Sequence, residues 1–396
     1  MPATRTSIAA LAGALLLAAV APTAAQQQLW GSEAGPVRVV DVAAGLEQPW
    51  SMAWLPNGDM LVTEKAGRLR LVRDGVLDPT PIAGVPEVRF RGQGGLLDVV
   101  LHPNFAANRL VYLSYAKPNA DGSQGTTAVA RGRLDGHALT GVDDIFVADA
   151  WNTTAGHYGS RLAFDADGYL FITVGDRQFP PSGVLEEHPA QDPSNHVGTI
   201  NRLNDDGSVP QDNPFVGMPN VQPSIWSYGH RSPQGLAIHP VTGDIWQSEH
   251  GPQGGDELNR ILPGRNYGWP VIGYGVNYGG AQLHRAREME GMEQPVYFFT
   301  PSIGTSGLMI YTGDVFDAWN GSIFLGGMAF PELHRLPLIG DDHSQIGRPE
   351  RPPLLSRFAR IRDIRQGPDG FIYLALDERN EDGRSRVVRL EPAETN

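Results

Sequence analysis

The chain of 396 residues contains 48 glycines and 32 prolines but no cysteine, which excludes a fold held together by disulfides. The glycines follow no Gly-X-Y period, so they exclude collagen and indicate many turns. The formal net charge of -13 argues against a nucleic-acid-binding protein, which needs a basic surface.

The N-terminus predicts a signal peptide over residues 1–25. Arg5 gives a short positive region, and residues 8–20 form an apolar run that is too short for a comfortable membrane span. The small residues Thr23 and Ala25 fit the rule for cleavage before the glutamines that follow. An uncleaved membrane anchor is the alternative. The pattern predicts an exported protein, periplasmic or secreted, without stable membrane insertion after cleavage.

A turn motif recurs six times along the remaining chain, residues 26–396, which we interpret as a single domain. Each copy combines an apolar position, a Pro or acidic residue, a turn at or near Gly or Asn, and a β-rich run. The copies begin at Trp54, Leu101, Phe164, Ile238, Val315 and Gln366. Asn-Gly and Asp-Gly steps supply the positive φ angles of tight hairpin turns. Because six such units must each cover a neighbour's face, the pattern predicts an all-β, six-bladed β-propeller of four-stranded antiparallel blades. A β-sandwich is the alternative, but the copies lie too far apart for single strands.

His157 and Asp176 are candidate catalytic residues at the two ends of one predicted hairpin. His157 precedes a strand on a Gly-flanked loop, and Asp176 ends the strand that follows the next turn. A hairpin that returns on itself would bring the carboxylate to the imidazole, where it fixes the tautomer and makes the histidine a better base. The chain has 11 histidines, so a structural role for His157 is the alternative on this pattern alone.

An acidic, glycine-rich bend follows a second polar loop. Arg231 lies in that loop, before a strand, and the bend contains Asp256 and Glu257. Hard cations such as Ca²⁺ bind carboxylates together with backbone carbonyls, and this composition supplies both. The spacing matches no EF-hand loop, so an acidic surface turn is the alternative.

Arg360 and Arg362 alternate on one face of a predicted strand. Two neighbouring guanidinium groups repel each other unless an anion lies between them, so the pair could bind a polycarboxylate ligand. The alternatives are a solvated strand face and a salt bridge to Asp363.

Six motifs follow one another in a fixed order along the chain: Gly92-Gln-Gly-Gly-Leu-Leu-Asp, His157-Tyr-Gly-Ser-Arg-Leu, Tyr228-Gly-His-Arg-Ser-Pro-Gln-Gly-Leu, Ser248-Glu-His-Gly-Pro, Asn266-Tyr-Gly-Trp-Pro and Arg360-Ile-Arg-Asp. Together they resemble the glucose/sorbosone dehydrogenase family, which includes soluble glucose dehydrogenase and periplasmic aldose sugar dehydrogenases. The resemblance runs from about Gly45 to about Glu378. The family fold is a six-bladed propeller, in agreement with the repeats.

The resemblance implies a quinoprotein that oxidises the C1 hydroxyl of aldose sugars to lactones with pyrroloquinoline quinone. It implies that His157 is the general base, that Asp176 orients it, and that Arg231 contacts a quinone oxygen. The hydride from C1 passes to the quinone, and an external electron acceptor reoxidises the cofactor. The other cofactor contacts that it implies are Gln93, Ser232, Arg360 and Arg362.

The resemblance also implies two calcium ions. The carbonyls of Gly251 and Pro252 match ligands of a Ca²⁺ that bridges to the cofactor. Glu257 and the Tyr267 carbonyl match ligands of a second, structural Ca²⁺.

Three positions depart from the family pattern. Ser232 replaces a usual Asn, Thr305 replaces a common Pro, and Ala329 replaces a Lys that contacts the quinone. A hydrogen bond to a charged group contributes roughly 1.5–3 kcal/mol, so the loss of that Lys predicts quinone affinity roughly tenfold to a hundredfold weaker than in the family. Two alternatives stay open: a non-catalytic propeller that binds a ligand or partner with a degraded quinone site, and a Ca²⁺-dependent lactonase.

Overall fold

The computed structural model describes residues 28–378 and 383–393 as six antiparallel sheets arranged in a ring. The predicted all-β, six-bladed propeller is therefore confirmed. The predicted signal peptide, residues 1–25, lies outside the described residues, and the domain boundary at residue 26 stays a prediction.

The strands in chain order are β1 (Leu29–Trp30), β2 (Val37–Leu46), β3 (Pro49–Trp54), β4 (Met60–Glu64), β5 (Arg68–Arg73), β6 (Val76–Leu77), β7 (Leu96–Leu101), β8 (Leu110–Pro118), β9 (Gly125–Asp135), β10 (Ala138–Val147), β11 (Gly159–Phe164), β12 (Leu170–Val174), β13 (Thr199–Leu203), β14 (Ile225–Tyr228), β15 (Pro233–Ile238), β16 (Ile245–Glu249), β17 (Asp256–Ile261), β18 (Tyr297–Phe299), β19 (Thr305–Ile310), β20 (Ser322–Gly327), β21 (Leu333–Ile339), β22 (Gln345–Ile346), β23 (Ile361–Gln366), β24 (Ile372–Leu376) and β25 (Ser385–Pro392). The helical segments are α1 (Phe105–Asn108) and three 3₁₀ turns at Leu185–Glu187, Pro189–Gln191 and Asp317–Trp319. Blades 1 to 5 contain four consecutive strands each, from β3 to β22, and blade 6 contains β23, β24, β25, β2 and β1.

Blade 6 closes the ring with strands from both ends of the described chain. Strand β2 pairs with β25 from Val37 opposite Pro392 to Leu46 opposite Ser385. The two-residue strand β1 adds a fifth strand to this blade, where the sequence predicts four. Hydrogen bonds between strands from the two ends of the described chain therefore close the ring.

The six repeated turns of the sequence all lie at one end of the ring. Each connects the first strand of a blade to the second, as between β3 and β4 or between β23 and β24. The first strands, β3, β7, β11, β15, β19 and β23, contact one another in this cyclic order and surround the central axis. Because adjacent strands are antiparallel, the starts of the first strands and the ends of the second strands meet at the opposite end. The predicted site residues His157, Asp176, Arg231 and Arg360 occupy such positions.

The second strands are buried on both faces because each blade packs between two neighbours. Strands β4, β12, β16 and β24 are buried along their whole length. They consequently carry near-continuous apolar runs, such as Ile372–Leu376, in place of strict alternation. The core therefore lies between blades: Leu61 and Leu71 of blade 1, for example, belong to one apolar cluster with Leu96 and Leu113 of blade 2.

Four charged side chains fill the central channel, and we call them the channel network. Arg161 of blade 3 contacts Asp363 of blade 6 at 2.8 Å and Asp98 of blade 2 at 3.5 Å. Arg365 contacts Asp98 at 2.7 Å and Asp363 at 2.9 Å. Blades 3 and 6 lie opposite each other in the ring, so the Arg161–Asp363 pair crosses the axis. Two arginines and two aspartates balance in charge at this level of the channel.

Candidate active site

A polar cavity of about 260 Å³ opens at the end of the ring opposite the repeated turns. It is lined by Trp50, Lys65, Gly92, Gln93, Leu97, Tyr158, Gly159, Gln234, His250, Met328, Arg360, Arg362 and Asp377. All six blades contribute to this wall, which we call the central cavity. Its volume is near the lower end of the ~300–1,000 Å³ typical of small-molecule sites.

His157 and Asp176 meet beside the central cavity, as the hairpin topology predicts. Strands β11 and β12 bring the imidazole Nδ1 to 2.6 Å from Asp176 Oδ1. The other carboxylate oxygen accepts a hydrogen bond from Trp269 Nε1 at 2.8 Å, and the Gln178 N–H donates to Oδ1 at 2.9 Å. Both members of the His157–Asp176 pair are buried.

The electrostatics of this pair fix the histidine tautomer. Burial alone would raise the pKa of Asp176, but the neighbouring His157 and then Arg231 hold that pKa below its ordinary value. An ionised carboxylate only accepts hydrogen bonds, so the imidazole Nδ1 must carry the proton that it donates. The opposite nitrogen, Nε2, has no hydrogen-bond partner among the described residues and is available as a base.

The loop that carries His157 is held from several sides. The His157 N–H donates to Gln93 Oε1 at 2.7 Å, so a predicted cofactor contact in the cavity wall also positions the candidate base. Behind the loop, the Arg177 guanidinium lies 3.5 Å from the centre of the Tyr158 ring and also donates to the Gly156 carbonyl. This support matters because His157 has a φ of 50°, which non-glycine residues adopt only when their surroundings impose it.

Arg231 joins the same group through main chain and side chain. The Asp176 N–H donates to the Arg231 carbonyl at 2.7 Å, and the Arg231 guanidinium lies 5.0 Å from the centre of the Trp269 ring. Its Nη1 donates to the His250 carbonyl at 3.1 Å. His250 also lines the central cavity, where its Nε2 lies 2.6 Å from the Thr305 carbonyl oxygen and burial lowers the pKa of its imidazole.

Positive side chains outnumber carboxylates in the cavity wall. Arg360 and Arg362 both line it, and Lys65 joins them. Arg360 pairs with Asp377 at 3.3 Å, which makes the predicted alternative of a salt bridge to Asp363 wrong. Asp363 instead belongs to the channel network. Arg362 has only Gln234 Oε1, at 3.5 Å, as a hydrogen-bond partner within the described ranges.

The four predicted metal residues surround one small second cavity of about 20 Å³, room for a single ion or water. Glu249 and Glu257 both line it, and Asn259 donates to both carboxylates, at 3.2 and 3.4 Å. Burial, followed by the charge of Glu249, raises the pKa of Glu257 well above its ordinary value.

A buried carboxylate (Glu249), a half-buried one (Glu257) and nearby backbone carbonyls are the donor set that Ca²⁺ prefers, so the residues fit this ion. In the part of the chain that the structure describes, no group of three or more His, Cys, Asp or Glu side chains is placed to hold a metal. Carbonyls such as those of Gly251, Pro252 and Tyr267 would therefore have to complete any coordination.

Two further predicted positions lie outside the central cavity. Ser232 is fully buried, and its hydroxyl accepts a hydrogen bond from Gln234 Nε2 at 3.3 Å. Ala329 is exposed, and its N–H donates to the Ile303 carbonyl at 2.8 Å. A direct contact of Ser232 with a cofactor stays a prediction.

Several residues of the site were not predicted, among them Lys65, Asp377, His250 and Trp269. His250 and Trp269 lie inside two of the motifs that carry the family resemblance, which was the only signal for them. Lys65 and Asp377 follow the second strands of blades 1 and 6, and a search of those positions in every repeat would have found both.

The sequence and the fold are both similar to those of known proteins. A family model described as Glucose / Sorbosone dehydrogenase matches residues 46–388. The chain is 41% identical over 355 residues to aldose sugar dehydrogenase YliI of Escherichia coli, covering 88% of this chain and 92% of that protein.

Two solved structures are similar over nearly the whole described chain. The soluble aldose sugar dehydrogenase of Escherichia coli in its apo form has a TM-score of 0.83 at 38% identity and covers 90% of this chain and 100% of that chain. The aldose sugar dehydrogenase of Streptomyces coelicolor in its PQQ-bound form has a TM-score of 0.71 at 28% identity and covers 91% and 99%.

Proposed function

The chain belongs to the Glucose / Sorbosone dehydrogenase family, and from this premise we propose that it oxidises aldose sugars at C1 to lactones with pyrroloquinoline quinone. The observation that carries the proposal is the His157–Asp176 pair beside a cavity with unmatched positive charge. The proposed reaction requires a base with a free nitrogen. It also requires a cavity wall that can bind a polyanionic cofactor.

His157 acts as the general base in this proposal. Its free Nε2 accepts the proton of the sugar C1 hydroxyl, and the ionised Asp176 stabilises the imidazolium that forms. Trp269 keeps the carboxylate oriented by its hydrogen bond at 2.8 Å. A positioned general base contributes roughly 10²–10⁴-fold to a rate.

The wall of the central cavity fits the quinone, whose three carboxylates need cations. Arg360 and Arg362 would bind carboxylates, and Gln93 lies at the same wall. Arg231 would stabilise negative charge on a quinone oxygen, with Ser232 supporting this side through Gln234. When bound, the quinone supplies the acceptor for the hydride that leaves C1.

We also propose that Ca²⁺ binds in the second cavity. Because all four predicted residues line this one small cavity, we propose a single ion there in place of the two that the resemblance implies. The carbonyls of Gly251 and Pro252, the Glu257 carboxylate and the Tyr267 carbonyl would hold it. A divalent cation would compensate the charge of the Glu249 and Glu257 carboxylates and add positive charge near Arg231 and His250, which line the same cavity.

Reconstitution tests the proposal directly. Purified apoprotein is titrated with pyrroloquinoline quinone in Ca²⁺, and aldose oxidation is followed with an artificial electron-accepting dye. We expect saturable quinone binding and sugar-dependent dye reduction that the Asp176→Asn variant largely loses. Binding without turnover would favour a ligand-binding propeller, and lactone hydrolysis that needs Ca²⁺ alone would favour a lactonase. No quinone binding at any concentration would refute the dehydrogenase.

We also propose that the protein is exported and that its physiological electron acceptor is a separate molecule. The N-terminal pattern of residues 1–25 supports export, and among the described residues no helix is long and apolar enough to cross a membrane. Mass spectrometry of the protein from its native host should find a chain that begins near Gln26. A chain that retains Met1 would contradict cleavage.

A further inference from the structure

The positive charge of the central cavity has three sources and one local counter-charge. Lys65, Arg360 and Arg362 line the wall with Asp377. Asp377 pairs with Arg360, whereas neither Lys65 nor Arg362 has a carboxylate at ion-pair distance among the described residues. Two cations are therefore unmatched, in a cavity that the ring closes on its sides.

Lys65 is held so that its ammonium faces this cavity. It follows strand β4, and two hydrogen bonds fix its main chain. The Lys65 N–H donates to the Gln48 carbonyl, and the Leu96 N–H donates to the Lys65 carbonyl. A Cβ at Gly95 would collide with that carbonyl oxygen, so the backbones approach as closely as glycine permits. Lys65 Nζ donates to the Gly92 carbonyl at 2.7 Å. An ammonium has three donors, so two remain for a ligand.

Among the described residues, no carboxylate pairs with this lysine, and the more distant Asp377 offsets only part of the effect of burial and of Arg362. Burial and then the positive charge of Arg362 lower the pKa of Lys65. Lys117, the other lysine of the chain, lies in a different setting, because its Nζ is 2.7 Å from the Asp144 carboxylate. An anionic ligand beside Lys65 would supply the negative charge that Asp144 supplies to Lys117.

We propose that Lys65 binds a carboxylate of the quinone and replaces the cation that is missing at Ala329. The inference rests on the proposed function. It corrects the expectation of weak cofactor affinity, because Lys65 of blade 1 would provide the positive charge that Ala329 of blade 5 does not. Lys65 is a binding residue in this proposal and takes no part in proton transfer.

Amine labelling of the wild-type protein gives the first test, because the sequence contains only the lysines Lys65 and Lys117. The apoprotein is acetylated with an N-hydroxysuccinimide ester, with and without pyrroloquinoline quinone, and both sites are quantified by peptide mass spectrometry. At ten times Kd, bound quinone should slow acetylation of Lys65 roughly tenfold by mass action and leave Lys117 unchanged. Equal labelling of Lys65 with saturating quinone would overturn the proposal.

Equilibrium titration of variants gives the second test. Lys65→Met should raise the quinone Kd roughly tenfold to a hundredfold, the loss of one charge-assisted hydrogen bond. Lys65→Arg should bind within a few-fold of wild type, and Lys117→Met is the matched control that should not change Kd. The slope of log Kd against log salt concentration should also become shallower in Lys65→Met alone.

A quinone without charged carboxylates separates binding from positioning. If Lys65 contacts a carboxylate, Lys65→Met weakens binding of the free acid but not of the quinone trimethyl ester. If Lys65 only holds the Gly92 loop, the variant weakens both equally, and the proposal is wrong. Wild type that binds quinone with the same Kd as Lys65→Met would also refute this inference and leave the proposed function standing. Wild type that binds no quinone would refute both.

Discussion

The channel network and the wall of the central cavity are both rich in arginine, but they differ in charge balance. In the channel, Arg161 and Arg365 each contact two aspartates at 3.5 Å or less. In the cavity wall, the hydrogen bonds of the Arg362 and Lys65 side chains to described residues go to an amide oxygen and a carbonyl oxygen, and neither side chain pairs with a described carboxylate. The two regions are neighbours along the same axis and share strand β23, which supplies Asp363 and Arg365 to one and Arg362 to the other.

The difference indicates what each region does. A buried charge is costly unless it is paired, so the channel network must be complete for the ring to be stable. Among the described residues, the cavity leaves two cations without a carboxylate at ion-pair distance. Burial, together with the positive charges of Arg161 and Arg360, outweighs the attraction of Asp377 and lowers the pKa of Arg362 to about 10. Unpaired positive charge on a rigid wall reduces stability and is useful only when an anion binds there.

The largest expected effect is on stability and comes from the channel. Arg161→Met should lower the free energy of unfolding by about 3–5 kcal/mol, because it leaves buried carboxylates without one of their two partners. Arg362→Met is the matched variant in the cavity wall, and it should change the same free energy by less than about 1 kcal/mol, since no carboxylate loses its partner. Urea unfolding measures both. Equal destabilisation would show that the two regions do not differ as described.

The second effect separates chemistry from binding within the cavity region. His157→Ala should lower turnover at least about a hundredfold at saturating quinone, since the general base is lost. Its quinone Kd should stay within a few-fold of wild type, because the cations of the wall are unchanged. Steady-state kinetics and quinone titration give the two numbers. His137→Ala, at a half-buried histidine on the β9–β10 turn of blade 2, is the control. Normal turnover of His157→Ala would remove this residue from catalysis.

The sequence predicts the fold better than it predicts this charge imbalance. Six turns with glycine or asparagine mark the first hairpin of each blade, and local hairpin topology alone brings His157 to Asp176. Trp269 reaches the same carboxylate from 93 positions away, and no local pattern records that contact. Lys65 and Arg362 share a wall only because blade 6 closes the ring beside blade 1. Such pairings depend on closure, so only the folded ring shows them.

The third effect concerns the second cavity, where the excess charge is negative and comes from Glu249 and Glu257. If Ca²⁺ binds there, a free concentration of one hundred times Kd should stabilise the fold by about 2.7 kcal/mol, and chelation should lower Tm accordingly. Glu257→Gln should lose most of this Ca²⁺-dependent shift.

In chelator, the same variant should be at least as stable as wild type, because it removes a like charge beside Glu249. Thermal unfolding of both proteins in Ca²⁺ and in chelator checks the crossed pattern. If the Tm of each protein is the same in Ca²⁺ and in chelator, no structural ion binds at this cavity.

The smallest effect comes from adding a cation to the wall. Ala329 is exposed and follows Met328, whose carbonyl accepts a hydrogen bond from Arg360 at 2.5 Å, so a lysine here begins next to the cation cluster without a burial cost. Ala329→Lys should tighten quinone binding by about 1 kcal/mol, the low end for a charged hydrogen bond, because Lys65 already supplies one cation. In Lys65→Met the same addition should have a larger effect and return Kd to within a few-fold of wild type. The four proteins form a double-mutant cycle, in which a coupling energy different from zero shows that both positions serve one anion. If Ala329→Lys weakens binding instead, the added charge only increases repulsion, and the cavity has no further carboxylate for it to bind.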